Sequence, residues 1–127
     1  MIEINNLTDF QADRRFFSTV AKKVLKGENR ETQTISLAFV SEEEIKKLNQ
    51  KFRKKNKPTD VLSFELKEDG YLGEIIICPE IVKEKGEEVL EVFIHGILHL
   101  CGYDHEKTKR EAEAMEEKQN LYLSKIK

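Results

Sequence analysis

The chain has little cysteine, no long apolar run and almost no net charge, and each shortage excludes something. Its two cysteines, Cys78 and Cys101, sit in apolar surroundings. That usage suits reduced thiols in a cytosolic protein better than a disulfide scaffold. No stretch approaches the ~18 consecutive apolar residues of a membrane span. The opening "MIEINNLTDF" lacks a basic region followed by a long apolar run, so no signal peptide is expected. Lys plus Arg number 22 against 24 Asp plus Glu, so net charge alone selects no partner. Linkers, repeats and low-complexity segments are also missing, which predicts one domain over residues 1–127. A chain of that length buries roughly two-thirds of its unfolded surface, enough for one core.

What is present alternates between strand and helix patterns. "MIEIN" alternates Ile2 and Ile4 and reads as a short strand. Asp13 can cap a helix with Phe16, Phe17, Val20, Ala21, Val24 and Leu25 in one stripe, ended by Gly27. "TISLAFV" sets Ile35, Leu37 and Phe39 on one face of a second strand. Ser41 and Glu44 have the spacing of a capping box, opening a helix with Ile45, Leu48 and Phe52 inside. Beyond Pro58, "DVLSFEL" and "YLGEIIIC" read as strands separated by the turn "KEDG". Pro79 starts a short helix and Gly86 breaks it. An apolar helix over residues 87–101 follows, then an amphipathic one with Ala112, Met115 and Tyr122. Crossovers through helices imply parallel pairing, and the short turn implies an antiparallel hairpin. The expected fold is α+β: a four-stranded mixed sheet, three strands parallel and one antiparallel, packed with helices, with the apolar helix central and buried.

That helix carries the chemistry. "FIHGILHLCGYDH" holds all three histidines, His95, His99 and His105, within eleven residues. At ~100° per residue, His95 and His99 lie ~40° apart on one face, one turn above the other. Gly102 is suited to the left-handed reversal that lets His105 swing back over the helix end. Three imidazoles at this spacing predict a zinc-like ion with a fourth position open to solvent, the mark of a catalytic site. Cys101, ~200° around the helix from His99, points the other way. The same spacing occurs in metzincin proteases, where a glutamate base follows the first histidine. Here Gly96 stands at that position, so peptidase activity is not expected.

A second cluster lies in "KKLNQKFRKKNKPTD", with seven basic residues and no acidic one from Lys46 to Lys57. Lys46, Lys47 and Lys51 read as a solvated helix face. Arg53, Lys54, Lys55 and Lys57 crowd the helix end and the loop before Pro58, which suits phosphate binding. The acidic stretches at residues 80–91 and 111–117 are expected to mark surfaces away from nucleic acid.

"HGILHLCGYDH" resembles the H-G-x-L-H-L-x-G-Y-D-H signature of the YbeY family of bacterial rRNA maturation factors. "LNQKFRKKNKPTDVLSF", "LGEIIIC" and "EAEAMEE" resemble further blocks of that family, so the likeness covers most of the chain after Leu48. The resemblance implies a single metal-dependent RNA-processing domain, a cytoplasmic endoribonuclease cutting single-stranded RNA. It implies 16S rRNA 3′-end maturation, ribosome quality control, and contacts with the small ribosomal subunit or its assembly factors. It also implies one zinc at His95, His99 and His105, and a functional, catalytic arginine at Arg53. Three positions depart from the family pattern: Glu65 in place of proline, Glu74 in place of aspartate and Phe52 in place of a frequent tyrosine. The general base stays open among Asp60, Glu74, Asp104 or none of these. The competing function is an RNA- or ribosome-binding assembly factor whose zinc is mainly structural.

Overall fold

Strict alternation along Thr34–Phe39 (β2) buries Ile35, Leu37 and Phe39, as a strand covered on its apolar face requires. The computed structural model describes residues 1–66, 68–104 and 106–126. Three more strands join β2: Ile2–Asn6 (β1), Val61–Glu65 (β3) and Tyr71–Ile77 (β4). Their order is β1-β2-β4-β3, with β1, β2 and β4 parallel and β3 antiparallel to β4. The chain thus runs past β4's place to lay down the edge strand β3, then turns back to fill the gap. The α+β fold with a four-stranded mixed sheet is as the alternation implies.

Five helices complete it: Arg14–Gly27 (α1), Glu42–Arg53 (α2), Pro79–Glu84 (α3), Val89–Leu100 (α4) and Lys109–Ile126 (α5). The main core joins α1, α4 and α5 to the sheet face bearing Ile35, Leu37, Phe39, Ile75 and Ile77. A smaller core gathers Val40, Ile45, Leu62, Ile76, Cys78 and Ile81 on the other face, under α2 and α3. Helix α4 is central: Phe93, Ile94, Ile97 and Leu98 are sealed from solvent. It also needs Gly96, where an added Cβ would stand 3.1 Å from Ile75 Cγ2.

Several local expectations shift. Asp13 and Ser41 cap their helices, accepting from the Phe16 and Glu44 amides at 3.1 and 3.2 Å. Gly27 does not supply the reversal after α1; Asn29 does, at φ 61°. Gly27 is small for another reason, since a Cβ there would sit 2.2 Å from the Tyr122 hydroxyl. The histidine helix starts at Val89 rather than residue 87, because the chain must leave the left-handed Gly86 (φ 71°) before it can coil. Phe16 and Phe52 lie largely outside the core. In α2 the inward position four residues after Ile45 belongs to Asn49, which is only 2% exposed.

Candidate functional site

The histidine pair stands on α4 where its apolar face gives way to an open cleft. The rings of His95 and His99 have centroids 6.1 Å apart and planes at 88°. His95 Nδ1 meets Gln119 Oε1 of α5 at 3.0 Å. An amide oxygen accepts, so the ring proton sits on Nδ1 and the Nε2 lone pair is the one suited to a metal. This is the support that a ligating histidine usually has. The third sequence-predicted ligand, His105, lies outside the described residues. Among the described residues no group of three His, Cys, Asp or Glu is arranged around one ion position. The residues present still fit a zinc-like ion: two imidazoles stacked by one helical turn, with one tautomer fixed from behind.

The chain leaves α4 through Gly102 at φ 108°, the left-handed turn expected there. Gly102 N–H donates to His99 O at 3.1 Å and Tyr103 N–H to Leu98 O at 3.2 Å, which closes the helix end. The Tyr103 hydroxyl then donates to Glu28 Oε1 at 2.9 Å, and the Tyr122 hydroxyl to Glu28 Oε2 at 2.5 Å. Lys118 Nζ approaches the same carboxylate at 3.6 Å. Glu28 therefore ties α1, the loop after α4 and α5 together behind the histidines. Burial first, then the Glu28 hydrogen bond and charge, push the Tyr103 hydroxyl up to about 12. Burial and the Glu28 charge likewise push the Cys101 thiol up to about 11, so it is no ready thiolate ligand.

The cleft has a volume of about 520 Å³ and takes in His95, His99, Arg53, Lys55, Asp60 and Asp104. Lys54 and Lys57 are not among its lining residues. They shape the loop instead. Lys54 takes the left-handed cap of α2 at φ 60°, and Lys57 O accepts from Asn49 Nδ2 at 2.9 Å. With Lys55 N–H also donating to Asn49 O at 3.3 Å, one buried asparagine holds the basic loop beside the cleft. Glu74 is also absent from the lining. Its neighbours in register are Ser36 and Phe64, on the sheet face away from α4, which removes it as a candidate base.

The acidic stretches do not stay away from the cleft: Glu87 and Glu91 line it, because the turn after α3 folds back over the start of α4. Asp60 and Glu87 share a hydrogen bond between carboxyl groups. Burial raises the Asp60 carboxyl, but the bond to Glu87, the Lys85 ammonium at 3.4 Å, its own backbone N–H and the Thr59 hydroxyl together bring it below its ordinary value. Burial, then the hydrogen bond and charge of Asp60, push Glu87 up to about 7. Asp104 accepts from the Glu106 amide at 3.0 Å and so caps its own turn. Sequence reasoning missed Gln119, Asn49 and Glu87. Asn49 had one signal, an amide on the apolar stripe of α2. The other two had none, since each meets its partner only through tertiary folding.

Relatives agree with the geometry. Residues 3–127 match the family described as Endoribonuclease YbeY. A protein of that name from Thermotoga petrophila is 49% identical over 100 residues, covering 72% of this chain and 67% of its own. Another, from Thermosipho melanesiensis, is 36% identical over 126 residues, covering 93% and 91%. The solution structure of TM1509 from Thermotoga maritima superposes with a TM-score of 0.70 at 36% identity, covering 99% of this chain and 89% of that one. A histidine helix facing a basic loop across one cleft, on this sheet and with these relatives, leads to one assignment: the chain belongs to the YbeY endoribonuclease family.

Proposed function

We propose that this protein is a metal-dependent endoribonuclease that cuts single-stranded RNA. The observation that carries the reading is a single cleft of about 520 Å³ uniting Arg53 and Lys55 with His95 and His99. Phosphate-gripping cations beside a metal-type imidazole pair are what phosphodiester cleavage needs. His95, His99 and His105 would hold one zinc ion, which supplies Lewis acidity at a phosphoryl oxygen and acidifies a nucleophile. Gln119 orients His95. Arg53 neutralises charge that develops on the phosphate, and Lys55 adds to the positive field. Glu87, pushed up to about 7 by burial and then by Asp60, is the group in the cleft that we assign to taking and returning a proton at physiological pH. No described helix is long and apolar enough to cross a membrane. We place the reaction in 16S rRNA 3′-end maturation and ribosome quality control, with the small ribosomal subunit or its assembly factors as partners.

The test is cleavage of single-stranded RNA by nuclease-free, zinc-loaded protein beside its His99→Ala variant. Wild-type cleavage abolished in the variant is expected. Equal rates in both would remove the active-site assignment. RNA binding without cleavage would instead favour an assembly factor with a structural zinc.

A further inference from the structure

Phe52 is 55% exposed at the last turn of α2, a helix that buries only Ile45 and Asn49. A single exposed apolar side chain is ordinary on a protein surface. This one is distinguished by its neighbours. Its ring leans on Phe64 of the edge strand β3, with centroids 5.2 Å apart and planes at 60°. Lys51 Nζ lies 5.2 Å from its centroid. The next residue, Arg53, and Lys55 line the histidine cleft. Asn49 fixes the loop that carries Lys55. Phe52 does not line the cleft itself, but it stands one residue before Arg53, so a braced aromatic ring on the outer side of β3 adjoins the two cations of the cleft, the pairing that single-stranded nucleic acid uses for stacking and backbone contact.

We infer that Phe52 is a stacking platform for one unpaired nucleobase of single-stranded RNA, the base whose neighbouring phosphates are held by Arg53 and Lys55. The inference rests on the RNA-cleaving function proposed above and locates where substrate lies outside the cleavage position. Lys51 does not block it. The stacking of a base on a ring outweighs an exposed cation–π contact, and a long side chain can swing aside while keeping its charge near the backbone. Every base has a π-face, so the subsite selects for an unpaired base and against a duplex without choosing a sequence.

The chain contains no tryptophan, so Phe52→Trp places a single indole at the subsite. Its fluorescence should be quenched when a single-stranded oligoribonucleotide binds, and left unchanged by an abasic ribose-phosphate oligomer of equal length. Phe52→Ala should weaken oligoribonucleotide binding about tenfold. The salt dependence should keep its slope, because no charge is lost. Phe52→Leu, which keeps apolar bulk without a π-face, should lose nearly as much. Lys55→Ala provides the independent arm: it should lower both affinity and salt slope whatever Phe52 does. Wild-type binding with an unquenched indole, or Phe52→Ala binding as tightly as wild type, would overturn the stacking subsite and leave the RNA function standing. Failure of the wild type and of the Lys55 arm to show any RNA binding would overturn both.

Discussion

Two carboxylate clusters flank the histidine helix, and they are built in opposite ways. Behind it, Glu28 is 8% exposed and receives two phenolic hydroxyls and an ammonium. In front, Asp60 and Glu87 set two carboxyl groups beside each other at the wall of an open cleft, and the pairing lowers the first and raises the second. Donors saturate the first cluster, so its geometry is fixed and its chemistry quiet. The second sets acceptor against acceptor, which makes protonation its variable. Stability should depend on the rear cluster and rate on the front one.

Breaking the rear cluster should have the largest effect. Glu28→Ala strands the hydroxyls of buried Tyr122 and half-buried Tyr103 and should cost about 3–5 kcal/mol of unfolding free energy, read by urea titration. Glu28→Gln, which keeps one acceptor, should cost less. A loss below about 1 kcal/mol for Glu28→Ala would show that the hydroxyls find water instead. Next in size, Arg53→Ala should lower single-turnover cleavage at saturating RNA about a hundredfold while leaving the urea midpoint unmoved. Arg53→Lys should recover only part of the rate, since an ammonium lacks the planar fork. A wild-type rate once RNA is bound would make Arg53 a binding residue only.

The front cluster sharpens the contrast through pH. Glu87 carries a folded value raised from 4.5 to about 7. Across that window the folded chain keeps a proton that the unfolded chain releases, so this contribution to stability falls as pH rises and is lost above the folded value. Exposure to solvent reduces its size. Asp60 works in the other direction: its value is lowered, so its contribution is present above 3.8 and lost as acid protonates it. Glu87→Gln should flatten the slope of stability near neutrality and remove a limb of the pH–rate profile there. Lys85 and Glu91 act on the same group with opposite signs, so Lys85→Ala should raise the Glu87 value further. A carboxyl NMR titration that places Glu87 near its ordinary value would contradict the coupling of the two carboxyl groups.

The smallest effect separates two lysines of the loop. Lys55→Ala should reduce the log–log salt slope of RNA binding by roughly 0.7. Lys54→Ala, at a position that caps α2 rather than lining the cleft, should change it much less. Equal changes would mean that the bound RNA spreads over the whole loop.

Much of this was legible in the chain because the governing patterns are local. Period-two alternation gave β2, Asp13 and Ser41 marked helix starts, and Gly102 marked the turn after the histidines. The four-residue spacing of His95 and His99 placed them together before any fold was known. The remainder depends on pairs distant in sequence. Gln119 reaches His95 across 24 residues and Tyr122 reaches Glu28 across 94, and neither leaves a periodic trace. Phe52 has the spacing of a core residue after Ile45 and Leu48, yet α2 turns Asn49 inward to hold the basic loop. Gly27 looked like a helix stop but serves the close approach of Tyr122.

Zinc titration of metal-stripped protein bears most directly on the front cleft as a catalytic centre. Bound metal and single-stranded RNA cleavage, followed in the same samples, should rise together and break at about one equivalent per chain. The His99→Ala variant should show neither rise. Zinc uptake with no change in cleavage, or cleavage undiminished in the stripped protein, would contradict a metal-dependent nuclease at this site.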